Sequence, residues 1–248
     1  MLDYSQIIER LIERIQNLPD KIFHIHKVAR ELARFSDFEI ANIIEDLYRG
    51  AILKKEGYVL LLEAMTEFDV VREHLGSRLS TIFDIADEES LLFAAEWLAP
   101  LPLIQKPAKN LFVHNDLMDL TLGERKWHAR KAEPNLLEKL LVDPEPSVIE
   151  NLLNHSQITE SEVVKICAKQ PNHPEIMMVV YRHKKWFSRY QVKKALLNNP
   201  ATPPRLIMLL LVWLSVQDLK DLRKSRRFSP GFINQILKAR TINAVPKL

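Results

Sequence analysis

Ile7, Ile8, Leu11, Ile12 and Ile15 recur at the spacing of one helical face, with charged residues between them. That run stops at Asn17, Leu18 and Pro19, and a second helical segment follows over residues 21–34. Ser36 with Glu39 three positions on forms an S-x-x-E capping box, after which Ile40, Ile43, Ile44 and Leu47 line one face of a third helix ending near Gly50. The next stretch, AILKKEGYVLLLE, reads as two short strands, 51–53 and 58–62, around a Lys-Glu-Gly turn. Helical periods return over 69–85 and 88–98. Residues 99–109, APLPLIQKPAK, hold three prolines and no period, which marks a boundary.

Beyond that boundary the pattern repeats. Capping boxes stand at Thr121 with Glu124, Ser147 with Glu150, Thr159 with Glu162 and Ser188 with Gln191, and in looser form at Ser215 with Asp218. Prolines suited to a first helical turn stand at Pro134, Pro174, Pro203 and Pro230. Together these signals predict helix starts at 121, 133, 147, 159, 173, 188, 202, 215 and 229, a pitch of about 14 residues. Apolar stripes such as Val148, Ile149, Leu152, Leu153 and Phe232, Ile233, Ile236, Leu237 lie between the starts. Helices of about 10 residues are only about 15 Å long and marginal in isolation, so they must stack to persist. Stacked short helices make a solenoid, each unit burying its stripe on the next.

Two resemblances follow from these residues. VARELARFSDFEIANIIEDLYRGAILKKEGYVLL is similar to the winged helix-turn-helix family over residues 1–63, which implies three helices, a two-stranded wing and a recognition helix at 37–49. That helix carries Asp37, Glu39, Glu45 and Asp46, whose charge opposes a phosphate backbone, so a packing module or protein dock is expected instead of a DNA reader. Lys54 and Lys55 on the wing are the remaining argument for DNA. QVKKALLNNPATPPRLIMLL resembles the leucine-rich repeat variant family, with weaker copies at LLVDPEPSVIENLL and AKQPNHPEIMMVV. HEAT-like repeats are the near alternative, although their units usually run to about 40 residues. The resemblance implies a binding surface and supplies no catalytic motif. The cysteine-rich segment that accompanies some such repeats is absent, so no redox function carries over. The expected fold is mainly α: a right-handed α-solenoid of short helices over 121–248, preceded by a winged-helix-like α+β head at 1–63 and a helical connector at 64–120.

Composition narrows the chemistry. The chain of 248 residues has five glycines, and the closest pair, Gly50 and Gly57, is too far apart for a G-x-G-x-x-G or a G-x-x-x-x-G-K phosphate loop. A single cysteine, Cys167, excludes a disulfide framework within the chain and fits a reducing, cytoplasmic compartment. None of the eight histidines stands in H-E-x-x-H or a His-Cys zinc spacing, and His114, Asn115 and Asp116 read as a turn and cap. The N-terminus is too acidic for a secretory signal, and the longest apolar run, 206–214, is far short of the roughly 20 residues of a membrane span. No cofactor, metal or catalytic residue is expected.

Charge is uneven. Residues 1–120 hold 13 basic and 21 acidic side chains, whereas from Lys165 onward 17 basic face only Glu175, Asp218 and Asp221. Within that tail, YRHKKWFSRYQVKK interleaves basic residues with Tyr181, Trp186, Phe187 and Tyr190, and KDLRKSRRF adds a second basic run. The leading expectation is a non-enzymatic adaptor whose basic repeat surface binds an acidic protein. Its residues would be Lys184, Lys185, Arg189, Lys193, Lys194, Arg223, Lys224, Arg226 and Arg227, with Trp186 as an aromatic anchor where exposed. The same mixture of cations and aromatics also suits single-stranded nucleic acid, the alternative reading. An enzyme on helical repeats, as certain base-excision glycosylases are, would need a carboxylate and aromatics converging in a concave cleft.

Overall fold

The computed structural model describes residues 4–18, 21–99, 113–131, 134–224, 228 and 230–242. They form an all-helical, repeat-like architecture with no strand among the described residues. By contact the chain divides into two compact units, one of Met1–Pro100 with Leu211–Leu248 and one of Leu101–Leu210.

The first unit is built around α3 (Asp37–Ile52), which follows α1 (Tyr4–Gln16) and α2 (Lys21–Leu32). The Ser36 capping box forms: Ser36 N–H donates to Glu39 Oε2 at 2.8 Å, and Glu39 N–H donates back to Ser36 Oγ at 3.3 Å. Then come α4 (Tyr58–Thr66), α5 (Phe68–Leu75), α6 (Arg78–Glu88) and α7 (Leu92–Leu98), and from the far end of the chain α16 (Val216–Lys224) and α17 (Pro230–Ile242). α3 packs against α1, α4, α6, α7 and α17, so ten of its residues are buried, including Tyr48 and the carboxylate-bearing Glu45. Glu45 Oε2 accepts the N–H groups of Phe93 and Ala94 at 2.7 and 3.0 Å, which supplies the N-terminal cap that α7 lacks in its own sequence. Arg78 joins α6 to the α2–α3 turn, through Asp37 at 2.7 Å and the carbonyls of Ala33 and Phe35.

The expected winged-helix α+β head is therefore corrected. Residues 58–62, read as the second wing strand, begin α4, because Tyr58, Leu61, Leu62 and Met65 are buried at helical spacing against α1, α2 and α3. Gly57 makes the tight entry possible at φ 75°, where a Cβ would also stand 2.3 Å from Ile12 Cγ2. Residues 51–52 are the end of α3, and Lys54 and Lys55 lie on the α3–α4 turn instead of a wing. What α3 leaves outside its packing is one stripe, with Phe38 and Arg49 exposed and Glu39, Asn42 and Asp46 half-buried. The single helix expected over 69–85 is likewise two, split at Gly76, whose φ of 54° ends α5.

The second unit is a helical, repeat-like run. It runs from a 3-10 turn (Asn115–Leu117), which His114 caps by accepting Asp116 N–H, through α8 (Leu122–Lys131), α9 (Pro134–Leu140), α10 (Pro146–Leu153), α11 (Glu160–Ala168), α12 (Pro174–Arg182), α13 (Lys184–Phe187) and α14 (Tyr190–Asn198). The division between the units falls inside α15 (Pro204–Trp213). α8 packs on α10 and α10 on α12 in one row. In the other, α11 packs on α14, while Lys165 of α11 reaches Glu138 of α9 at 2.8 Å. The Thr159 box forms as expected, whereas α10 starts at Pro146 with Ser147 inside it, and α14 starts at Tyr190, after Ser188. Most of the boundary segment, 100–109, lies outside the described residues.

Candidate functional site: a basic knuckle on the repeat unit

Three buried polar residues, Asp143, Asn172 and Asn199, occupy the turns that close successive repeats. Asp143 holds Arg125 at 2.5 Å and accepts Glu145 N–H at 2.9 Å. Asn172 donates to the Ile166 carbonyl at 2.8 Å. Asn199 reaches back one repeat, donating to the Cys167 and Lys169 carbonyls at 2.6 and 2.8 Å while accepting Ala201 N–H at 2.9 Å. Lys169 makes the same backward reach to the Val142 carbonyl. These bonds satisfy the orphan carbonyls at helix ends and fix one repeat on the next.

On this frame α12 ends at His183 in extended conformation, and the chain makes the single turn of α13 before α14 begins. Trp186 and Phe187 both turn inward. Trp186 is 2% exposed and its Nε1–H donates to the Leu153 carbonyl at 2.8 Å. Phe187 meets Tyr181 edge to face with centroids 4.9 Å apart. With two adjacent side chains committed to the core, the rest of the turn faces solvent: Lys184, Lys185, Ser188, Arg189 and Tyr190 are exposed. The result is a rigidly anchored knuckle that presents three cations.

Their surroundings are mixed in charge. Arg189 lies 4.0 Å from Glu160, at the edge of ion-pair range, and Lys185 Nζ stands 4.1 Å from the Trp186 ring centroid. Arg182, nearby on α12, is held by Glu175 at 2.6 Å. Burial, with the Lys185 charge in support, pushes the His183 imidazole below its ordinary value.

The expected site residues thus separate. Lys184, Lys185 and Arg189 come together on the knuckle. Lys193 is buried with its ammonium 4.8 Å from the Phe187 centroid, and Lys194 is half-buried. Trp186, expected as an anchor only where exposed, supports the knuckle from beneath. Arg223 and Lys224 belong to the other unit, where they are exposed and contact Asn234 Oδ1 at 3.1 Å and Asp221 at 3.2 Å. Arg226 and Arg227 lie outside the described residues.

Among the described residues no group of three or more His, Cys, Asp or Glu side chains could hold a metal, and no helix is long and apolar enough to cross a membrane. Comparison with protein-family models, with curated proteins and with solved structures finds no match.

Proposed function

We propose that the chain is a non-catalytic adaptor that binds an acidic segment of a partner protein through the α13 knuckle. The observation that carries this reading is the anchored exposure of Lys184, Lys185 and Arg189 above a buried Trp186. A preorganised cationic turn loses little conformational entropy on binding, whereas the same lysines on a loose loop would lose more. The leucine-rich-repeat-variant character of the turns fits this use, since short helical repeats serve as frames for surface recognition. The lone, buried Cys167 fits a reducing, cytoplasmic setting.

The aromatics favour protein over nucleic acid as the ligand. Of the four that interleave the basic run, Tyr181, Trp186 and Phe187 are buried, and Tyr190 alone reaches the surface at 37% exposure. Stacking of successive bases needs several open ring faces.

The test is capture on the immobilised full chain, after nuclease treatment, comparing wild type with Lys184→Glu/Lys185→Glu/Arg189→Glu. Acidic proteins held by the wild type and released by the triple variant support the reading. Retention by both, or binding that vanishes with the nuclease, contradicts it.

A further inference from the structure

The first unit carries a different concave feature, independent of the knuckle: a cleft of about 380 Å3 where α1 meets the end of α2. Three guanidiniums line it, from Arg10, Arg14 and Arg34, around a single carboxylate, Glu31. Glu31 is 5% exposed; its Oε2 accepts from Arg14 Nη1 at 2.5 Å and from Arg34 Nη1 at 3.1 Å, while Oε1 pairs with Lys27 at 3.2 Å. Ile7, Leu11 and Phe35 supply the apolar part of the wall.

The charge balance of this cleft points to a ligand. Glu31 is the one carboxylate in the lining and is shared by Arg14, Arg34 and, from outside the lining, Lys27, so at least two positive charges stand in surplus around the cleft, and Arg10 has no carboxylate partner among the described residues. Glu31, in the same lining, holds Arg14 and Arg34 through one Nη1 of each, which among the described residues leaves most of the five N–H donors of either fork unspent. Preoriented forks suit an oxyanion with several acceptor oxygens. A surplus of at least two suits a phosphomonoester, which carries about −1.5 to −2 at pH 7, better than a monocarboxylate. Ile7, Leu11 and Phe35 then face whatever bears the phosphate, and a cleft at the small end of the ligand-pocket range of roughly 300–1,000 Å3 takes a body about the size of one ring.

We propose that the cleft binds a phosphomonoester carried on a flat apolar body, with Arg10, Arg14 and Arg34 on the phosphate and Ile7, Leu11 and Phe35 against the ring. The probe is phenyl phosphate, titrated calorimetrically into the full chain and compared with benzoate, phenol and inorganic phosphate. Saturable one-to-one binding is expected, with phenyl phosphate tighter than each of the other three. Arg10 is exposed and bears no load in the described fold, so Arg10→Gln should leave the thermal midpoint unchanged and weaken phenyl phosphate binding about tenfold or more, as loss of a charge-assisted contact does. Arg10→Lys should recover only part of that loss, because an ammonium lacks the planar fork. A phosphotyrosine peptide that binds more tightly than phenyl phosphate would identify the source as a modified partner protein, and one that binds no better would identify a free small molecule. No saturable binding up to about 10 mM, benzoate or phenol binding as well as phenyl phosphate, or an unaltered affinity in Arg10→Gln would each overturn the proposal.

Discussion

Asn199 does with one side chain what a β-turn glycine and an inter-repeat contact would do separately. Its carbonyl oxygen closes the turn on Ala201, and its amide holds two carbonyls of the preceding repeat. Asn199→Ala is expected to lower stability by about 2 kcal/mol, since two buried acceptors lose their donor. Urea unfolding followed by circular dichroism measures it, and an unchanged midpoint would show that the bonds are not needed. Cys167 is buried, and burial pushes its thiol well above the ordinary range, so it should resist a thiol reagent in the native chain and react once the chain is unfolded. Glu31 makes a pH prediction. Burial alone would raise its pKa, but the Lys27 hydrogen bond and the charges of Arg14, Arg34 and Lys27 outweigh it, and the net direction is downward. Its folded pKa thus lies below the unfolded value of about 4.3, so its contribution is present above that pH and is lost as pH falls through the folded pKa. The thermal midpoint of Glu31→Gln should fall less steeply below about pH 4.3 than that of wild type. The helix that starts after this turn was legible in the sequence from the proline signal at Pro203. The backward reach of Asn199 was not, because its partners are about 30 positions away and are backbone atoms, which leave no signature in residue type.

At the scale of elements, helix starts were the best-read feature and short apolar runs the worst. Thr121, Thr159, His173 and Ser215 precede helices as the capping and proline signals require. Those signals are local, and a local rule can be read from a local sequence. The stretch Tyr58 to Leu62 failed for the opposite reason: five nearly continuous apolar residues fit a buried strand as well as a buried helix, and only packing against α1, α2 and α3 decides. Gly57 carries the correction. Gly57→Ala should be destabilising by about 1 kcal/mol or more, from the left-handed backbone and the Ile12 contact together, with thermal melting as the check. The knuckle depends on a different anchor. Trp186→Ala should cost about 3–5 kcal/mol through the cavity and the lost Leu153 bond, and should raise amide exchange across α13 and the start of α14. Slow exchange there in Trp186→Ala would mean that the turn holds without its indole.

For the whole molecule, the charge asymmetry visible in the sequence survives folding only in part. Lys165, Arg182 and Lys224 are paired with acidic side chains of their own unit, and Lys193 lies in the core, so net charge overstated the free positive surface. The sequence showed how many cations the tail holds. It had no means of showing which of them meet Glu138, Glu175 or Asp221. What folding leaves exposed together on the repeat-like unit is Lys184, Lys185 and Arg189, the last at 4.0 Å from Glu160, and the adaptor reading rests on those three. The most direct test is the nuclease-treated capture experiment with Lys184→Glu/Lys185→Glu/Arg189→Glu, in a variant whose circular dichroism matches wild type. The account predicts that acidic proteins held by the wild type are lost from the variant. An identical set retained by both would contradict it.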